Sequence, residues 1–525
     1  MSNTEKENLS SRSQVWQAAG VVGTAVLLSR VVGLVRNIIK ANYLGLGLGA
    51  TAFDTASRFP VAIFLILAGG AIGSAFIPTF SAYFVRDDEA GGWRLFSAVI
   101  NLVTVVVTAV AVLTIIFARP FITFFLHELV ADNPELLDIT VKLMRIMLLS
   151  PAIFGISGVV MGTLNARQHF LLPAIAPIVY NLGIIGGAII GKPTEVGMAW
   201  GTVVGALGHL LIQLPGLKRQ GVRYTAVFTL RDPGVKQVLR LMAPRVLGLS
   251  FSEINKFATV YLSGFISAES VPALQTAIQI MSMPQGMLGQ AMGIAAFPTM
   301  ATLAAQNALD EMRQILSSSL RLMLFFSAPA TVLLMLLRQP IVTILYERGD
   351  FTAVDTDLVS WALLFYAVGL MALTVLELIA RAFYALNDTL TPVLAGGAQA
   401  LGMVVLGQWF SAALFPQWGW QPFGGLALGY SLSNYLEIGV LLWLLKRKMG
   451  GLNGRYLLDG LWRMLLAALL MAGSVAVLLN QLNSIWLQMI VGSLVGGGIY
   501  VLACLLFRVG EVAQLWQFGR RLLRR

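Results

Sequence analysis

The chain has 525 residues, of which 57% are hydrophobic and 12% charged, and a mean hydropathy of +0.79; these values exclude an ordinary soluble domain and define a polytopic membrane protein. A net charge of +11 would suggest nucleic acid in a soluble protein, but here Lys and Arg gather between apolar runs, so no nucleic-acid partner is implied. The single cysteine, Cys504, excludes disulfides and cysteine metal clusters, and His127, His169 and His209 are too scattered to suggest a metal site, so no cofactor is expected.

The polar opening, 1–16, lacks the n-region and h-region order of a cleavable signal peptide, and the first apolar run is expected to serve as the signal itself. Apolar runs of about 20 residues, broken by charges or by Pro and Gly, then predict about fourteen membrane helices. The first six, at 17–43, 50–84, 96–118, 136–164, 171–191 and 196–214, form an N-lobe over 17–216. A basic, amphipathic cytoplasmic linker occupies 217–234. The next six, at 235–266, 271–305, 316–337, 356–385, 390–414 and 423–445, form a C-lobe over 235–446. Two further helices, 458–478 and 485–507, fill 447–507, and a basic tail covers 508–525. The fold class is therefore an all-α membrane protein of two parallel six-helix lobes plus two extra C-terminal helices.

With the N-terminus inside, most of the 36 Lys and Arg fall in cytoplasmic segments, and both termini are expected in the cytoplasm. The external segments after the third and ninth helices are acidic, with Glu128, Asp132 and Glu135, then Glu347, Asp350, Asp355 and Asp357. In the tail, Arg520, Arg521, Arg524 and Arg525 alternate with Leu515, Trp516, Phe518 and Leu522, which suits the anionic inner leaflet or a solvated end.

The chain also repeats itself. SRVVGLVRNIIKANYLG aligns with PRVLGLSFSEINKFATVYLSG, setting Arg30 against Arg245 and Gly33 against Gly248. AIGSAFIPTF aligns with AMGIAAFPTM, ARPFITFF with LRQPIVTIL, and TLNARQHFLLPAIAP with AFYALNDTLTPVLAG, pairing Pro78 with Pro298, Pro120 with Pro340 and Pro173 with Pro392. The copies keep one order, and six helices per copy restore the starting side, so the repeats are parallel.

Embedded charges sort by whether a partner sits at helical spacing. Asp54 with Arg58, Asp138 with Lys142, Glu253 with Lys256 and Glu377 with Arg381 are spaced to neutralise one another, which favours a structural role over a substrate or coupling role. Arg30, Arg36 and Lys40 have no acid on their own helix. A basic residue at mid-membrane costs ~2.5–3.5 kcal/mol and usually faces a bundle interior or an aqueous cavity. Arg36 and Lys40 lie about 40° apart on an ideal helix and Arg30 about 120° from Arg36. One broad cationic face results, which points to an anion between the lobes, with Arg245 entering from the second copy. The alternative leaves Lys40 snorkelling to an interface and Arg30 on helix-end carbonyls. Arginine suits phosphate because its planar fork donates two parallel charge-assisted hydrogen bonds. Parallel lobes around a charged midplane are what alternating access requires.

These residues resemble the MurJ (MviN) family of lipid II flippases, within the multidrug/oligosaccharidyl-lipid/polysaccharide exporter superfamily. The resemblance spans the chain through SRVVGLVR, AGGAIGSAFIPTFSAY, GTLNARQHFLLPAIAPIVYN, PQGMLGQAMGIAAFPTMATL, ILYERGDFTAVDT and RAFYALNDTLTPV. It implies fourteen helices, a central cationic cavity, a groove for a polyprenyl tail beside the two extra helices, and flipping of a lipid-linked precursor in the bacterial inner membrane, driven by an ion gradient or the membrane potential. It also implies functional roles for Arg30 and Arg36. The chain departs from the family pattern at Thr51, where members carry an acid; at Phe64, Leu65, Ala68, Gly69 and Gly70, where they carry an arginine pair and then A-E-G; and at Gln279, where they carry an arginine. Arg58 and Arg245 are the candidates to compensate, and a different lipid-linked saccharide is the alternative. The substrate-binding set is then Arg30, Arg36, Lys40, Arg58, Arg245 and Gln279, with Asp54, Glu253, Glu377 and Arg381 as coupling or structural charges.

Three other functions remain for comparison. A multidrug-extrusion antiporter shares the two-lobe plan but would favour unpaired buried acids over bases. A membrane enzyme acting on polyprenyl phosphates needs paired carboxylates, for which only Asp87, Asp88 and Glu89 in a loop offer themselves. A non-transporting scaffold would explain the missing charges but not Arg30 and Arg36. The expected partners are an anionic lipid-linked saccharide, membrane lipids and a coupling ion.

Overall fold

A computed structural model describes the backbone of residues 3–69 and 72–522. Gly70, Arg524 and Arg525, and the side chains of Ala68, Leu515, Phe518, Arg521 and Leu522, named above, lie outside the described residues. Among the described residues all regular structure is helical. In chain order the first helices are α1 (Asn3–Leu44), α2 (Leu48–Phe64), α3 (Ile77–Val85), α4 (Glu89–Ile116), α5 (Ala118–Phe125), α6 (His127–Asp132), α7 (Pro134–Met147) and α8 (Ser150–Ala166). They continue with α9 (Leu171–Ile190), α10 (Thr194–Leu211), α11 (Leu214–Arg219), α12 (Pro233–Ser263), α13 (Ser270–Gln285), α14 (Ala291–Ala305), α15 (Leu309–Leu336) and α16 (Arg338–Tyr346). The remainder are α17 (Ala353–Val368), α18 (Leu370–Ala385), α19 (Leu390–Trp409), α20 (Phe415–Gln417), α21 (Phe423–Lys448), α22 (Gly454–Leu479), α23 (Ile485–Leu506) and α24 (Gly510–Leu522).

Eleven of the described spans are long and apolar enough to cross a membrane, or twelve if the pair α17 and α18, bent by 44°, is one span. The count of about fourteen also includes α1 and α12. On α12, Lys236, Arg240, Arg245, Glu253 and Lys256 make the helix more polar than the other spans.

Contacts divide the chain into two compact units, Met1–Glu269 with Arg348–Phe351, and Ser270–Glu347 with Thr352–Arg525. α12 thus packs with the first unit, although the repeat counts it in the second copy. The linker is no free strap: Asn101 Nδ2 on α4 donates to Val227 O at 2.9 Å, Tyr224 Oη donates to Asn101 Oδ1 at 2.8 Å, and the Thr225 N–H donates to Ser97 Oγ at 3.0 Å. Asp232 then caps α12 by accepting from the N–H of Gly234 at 2.8 Å.

One packing device recurs in both units. In the first, α9 and α10 touch backbone to backbone: a Cβ at Gly183, Gly187, Gly201 or Gly205 would come within 2.2–2.5 Å of the facing helix. In the second, a Cβ at Gly429 on α21 would lie 2.4 Å from Gly407 N on α19. Small residues permit such approach where lipid supplies no hydrophobic drive between helices. These are the fifth and sixth helices of each copy, so the repeat read from the sequence reappears as a shared seam.

Other irregularities have local causes. Pro60 and Pro284 lie inside α2 and α13, and π-helical turns at Leu65–Gly69 and Gly286–Gln290 follow directly, as expected where a proline removes a backbone donor. The bend between α17 and α18 falls at Gly369, where Ser431 Oγ donates to the Phe365 carbonyl at 2.7 Å and would lie 2.7 Å from any Cβ at Gly369. α22 and α23 pack on α15 through Met464, Met471, Val475 and Tyr500, whose hydroxyl donates to Phe325 O at 2.9 Å. α24 is anchored by Glu511, buried against Arg321 of α15 with Nη2 to Oε2 at 2.8 Å, while the guanidinium stacks 4.0 Å from the Tyr456 ring centre.

A candidate anion site in the first unit

The first helix carries its cations to two different environments. Gly33 of α1 faces Asn181 of α9, whose Nδ2 would be 4.0 Å from a Cβ there, an ordinary contact. One turn on, half-buried Arg36 donates from Nη1 to Asn181 Oδ1 at 3.0 Å and from Nη2 and Nε to Asn37 Oδ1 at 2.9 and 3.2 Å. Both partners are neutral amides, so they orient the guanidinium without cancelling its charge. Asn181 is itself fixed, donating from Nδ2 to Pro177 O at 2.9 Å. Of the five N–H donors on a guanidinium, three are used, and the rest remain for a ligand.

Lys40, a further turn along, is buried and closes on Asp54 of α2, with Nζ 2.7 and 2.6 Å from the two carboxylate oxygens. The four-residue spacing pointed from Asp54 to Arg58; the ion pair Asp54 makes is with Lys40, across 14 residues of sequence. Lys40 therefore has a neutralising partner that no inspection of its own helix reveals. Asp138 similarly pairs with Arg119 at 3.1 Å, where spacing had pointed to Lys142. The pairs expected from spacing at Glu253 and Lys256, 2.5 Å, and at Glu377 and Arg381, 2.8 Å, are present.

Of the remaining candidates, Arg30 is exposed on α1, Arg58 half-buried on α2, Arg245 exposed on α12, and Gln279 half-buried on α13 in the second unit. Arg36 is brought to Asn37 and Asn181, and Lys40 separately to Asp54; the two asparagines were not recognised from sequence, although an asparagine in the apolar run PIVYNLG was a visible sign.

The departures from the family pattern also have structural roles. Buried Thr51 donates from Oγ1 to the Ala268 carbonyl at 2.7 Å. Phe64 packs against Phe154 with ring centres 5.0 Å apart and planes tilted by 41°, and Phe154 in turn meets Tyr180 and His209. His209 Nδ1 lies 2.7 Å from Ser157 Oγ, to which Gln213 donates at 2.8 Å, a buried knot inside the unit. An aromatic wall thus stands where a charged pair was expected.

An all-helical membrane protein with glycine-seamed repeats and an uncompensated arginine on its first span has the fold of the multidrug and lipid-precursor transporters. The solved structure of lipid II flippase MurJ in its inward closed conformation matches with a TM-score of 0.77 at 24% identity, covering 94% of this chain and 99% of that one. An inward-facing multidrug resistance MATE family transporter of the MOP superfamily matches with a TM-score of 0.68 at 14% identity, covering 82% and 98%. Residues 40–496 match the family described as lipid II flippase MurJ, and the chain belongs to that family. A probable lipid II flippase MurJ of Vibrio cholerae is 29% identical over 485 residues, covering 89% of this chain and 90% of that protein. The lipid II flippase MurJ of Burkholderia cenocepacia is 27% identical over 446 residues, covering 83% and 84%.

Proposed function

We propose that this chain flips a polyprenyl-diphosphate-linked cell-wall precursor, with lipid II the first candidate, from the inner to the outer leaflet of a bacterial inner membrane by alternating access. The observation that carries the reading is Arg36: a half-buried guanidinium held by two amides, positively charged, with donors to spare. A diphosphate accepts those donors in parallel, and charge-assisted bonds of this kind are roughly twice as strong as neutral ones. Arg30, one and a half turns earlier, adds a second cation within the same helix, and both termini lie in the cytoplasm in this reading. Lys40 contributes to the shape of the site through Asp54 more than to its charge. Arg58, Arg245 and Gln279 are secondary contacts, and a coupling ion supplies the energy.

The test is complementation. A bacterium depleted of its native flippase is supplied with this chain, and precursor on the outer leaflet is measured. Wild type restores the precursor, while Arg36→Ala and Arg30→Ala, at equal membrane abundance, do not. Full rescue by both alanine variants removes the site; failure of the wild type with lipid II and success with another lipid-linked saccharide changes the cargo. Export of a cationic dye by the wild type, without precursor flipping, would favour the antiporter.

A further inference from the structure

The second unit holds an acid that nothing balances. Six Asp, Glu, Lys or Arg residues are buried among the described residues: Lys40, Asp54, Glu253, Arg321, Glu437 and Glu511. Five of them sit in ion pairs, Lys40 with Asp54, Glu253 with Lys256, and Arg321 with Glu511. Glu437, 9% exposed, has neither an ion pair nor a side-chain hydrogen bond. It lies at the centre of α21, about 21 Å along a helix of about 39 Å. Such a residue marks an ion or proton pathway by default.

Its surroundings limit what it can bind. Toward α19 it faces Gly396, where a Cβ would lie 3.7 Å from Glu437 Oε1. One turn away, Gln399 Nε2 donates to Ser433 Oγ at 2.8 Å, and Asn434 Nδ2 donates to Tyr430 O at 2.7 Å. On the other side Ile438 and Leu441 enter the apolar cluster of Leu378, Ile379, Ala382 and Ala395. α13 and α19, with the π-turn Phe410–Leu414, bring no ionisable side chain to α21. α17 brings Tyr366 and, in its first turn and a half, Asp355 and Asp357; α18 brings Tyr384 and the pair Glu377 and Arg381, which neutralise each other. α21 itself adds Tyr430, Tyr435 and the basic cluster Lys446, Arg447 and Lys448 at its far end. None of these bases is ion-paired to Glu437, and no group of three His, Cys, Asp or Glu that could hold a metal occurs among the described residues.

We propose that Glu437 is a proton-binding carboxyl of the second unit, neutral while its pocket is closed and ionised when the unit opens it to water. One proton enters from solvent and cancels one charge; the same proton leaves when the side chain is rehydrated. An ion that is only a proton needs a single carboxylate and no cage of oxygens, which fits this site. That the proton exchange drives flipping rests on the function proposed above; that Glu437 binds a proton does not.

Carbodiimide labelling tests the binding directly. Dicyclohexylcarbodiimide attacks protonated carboxyls in apolar surroundings, and the intact protein in lipid vesicles is labelled between about pH 5 and about pH 9. The expected result is a label on the Glu437 peptide that falls as pH rises and is missing in Glu437→Gln. A Glu437 peptide unlabelled throughout, or labelled equally at every pH, overturns the proposal. Infrared difference spectra between the two pH limits are the second measurement: a protonated-carboxyl band present in wild type and absent in Glu437→Gln supports it, and identical spectra overturn it. If wild type flips precursor, Glu437→Gln flattens the pH dependence of the rate; loss of flipping in wild type leaves the labelling result standing and strikes only the cargo.

Discussion

The two units handle buried charge in opposite ways. Each contains one deeply buried ion pair that ties helices together, Lys40 with Asp54 in the first and Arg321 with Glu511 in the second. Beyond that pair, the first unit keeps a cation held by amides, Arg36, and the second keeps an acid held by nothing, Glu437. The repeat explains why each unit can host such a site, since the same glycine seam positions helices in both. The two charges nevertheless stand at different places in the repeat, Arg36 on the first helix of its copy and Glu437 on the sixth. At the positions of the second copy that align with Arg36 and Lys40 the chain has Phe251 and Asn255, so the cationic face belongs to the first copy alone.

If the contrast is functional, removing Arg36 has the largest effect. Arg36→Ala is expected to cut precursor flipping about 100-fold, the loss of a charge-assisted contact of ~3 kcal/mol at about 1.4 kcal/mol per tenfold. Arg36→Lys keeps the charge but not the fork, and should fall between wild type and alanine. Equal activity in all three would place the anion elsewhere. The paired charges should behave otherwise. Asp54→Ala leaves Lys40 buried without a partner and is expected to destabilise the protein by ~3–5 kcal/mol, measured by thermal unfolding in detergent, whereas Lys40→Met with Asp54→Leu recovers most of that loss. A double variant as unstable as the single one would mean that the pair does more than neutralise.

How much of this could be read from sequence depends on the range of the interaction. The parallel repeat was legible because prolines, with Gly33 and Gly248, recur in register; the seam glycines Gly183, Gly187, Gly201, Gly205, Gly407 and Gly429 lie outside the aligned segments, and only packing shows their role. The pairs Glu253 with Lys256 and Glu377 with Arg381 were legible because partners three or four residues apart share a helix face. Lys40 with Asp54, Arg119 with Asp138 and Arg321 with Glu511 were not, because each joins residues on different helices and only tertiary packing brings them together. Glu437 was visible in principle: it is an acid inside the apolar run 423–445 with Ser433, Asn434, Val440 and Leu441 at helical spacing and no base among them. Arg30 and Arg36 were found for that reason, and Asn181 was overlooked because a neutral side chain gives no charge to count.

A smaller effect separates the second unit's anchor from its spare acid. Gly460 faces Arg321, and a Cβ there would lie 2.6 Å from Nε. Gly460→Ala should therefore displace the guanidinium from Glu511 and lower stability by ~1–3 kcal/mol, the usual cost of overpacking, and loosen α24 enough for faster backbone exchange in that helix. Unchanged exchange in α24 would show that Glu511 is not what holds it.

The weakest expected effect lies at the surface of the same unit, where Asp388, in the turn between α18 and α19, meets Lys448 Nζ at 2.6 Å. Partial burial works to raise its pKa, but hydrogen bonds from Lys448 and from the Thr391 N–H and hydroxyl outweigh it and hold the carboxyl at about 2. A carboxyl depressed in the folded state stabilises the protein above its ordinary value of 3.8, and that contribution is lost as pH falls through about 2. Lys448→Met removes part of it, by about 1 kcal/mol or less for a pair so near water, and shifts the acid limb of the unfolding curve upward in pH. Unlike a buried acid without partners, Asp388 is stabilised in its charged form, so its variant should leave carbodiimide labelling of Glu437 unchanged; a change there would show that the two carboxyls do not titrate independently.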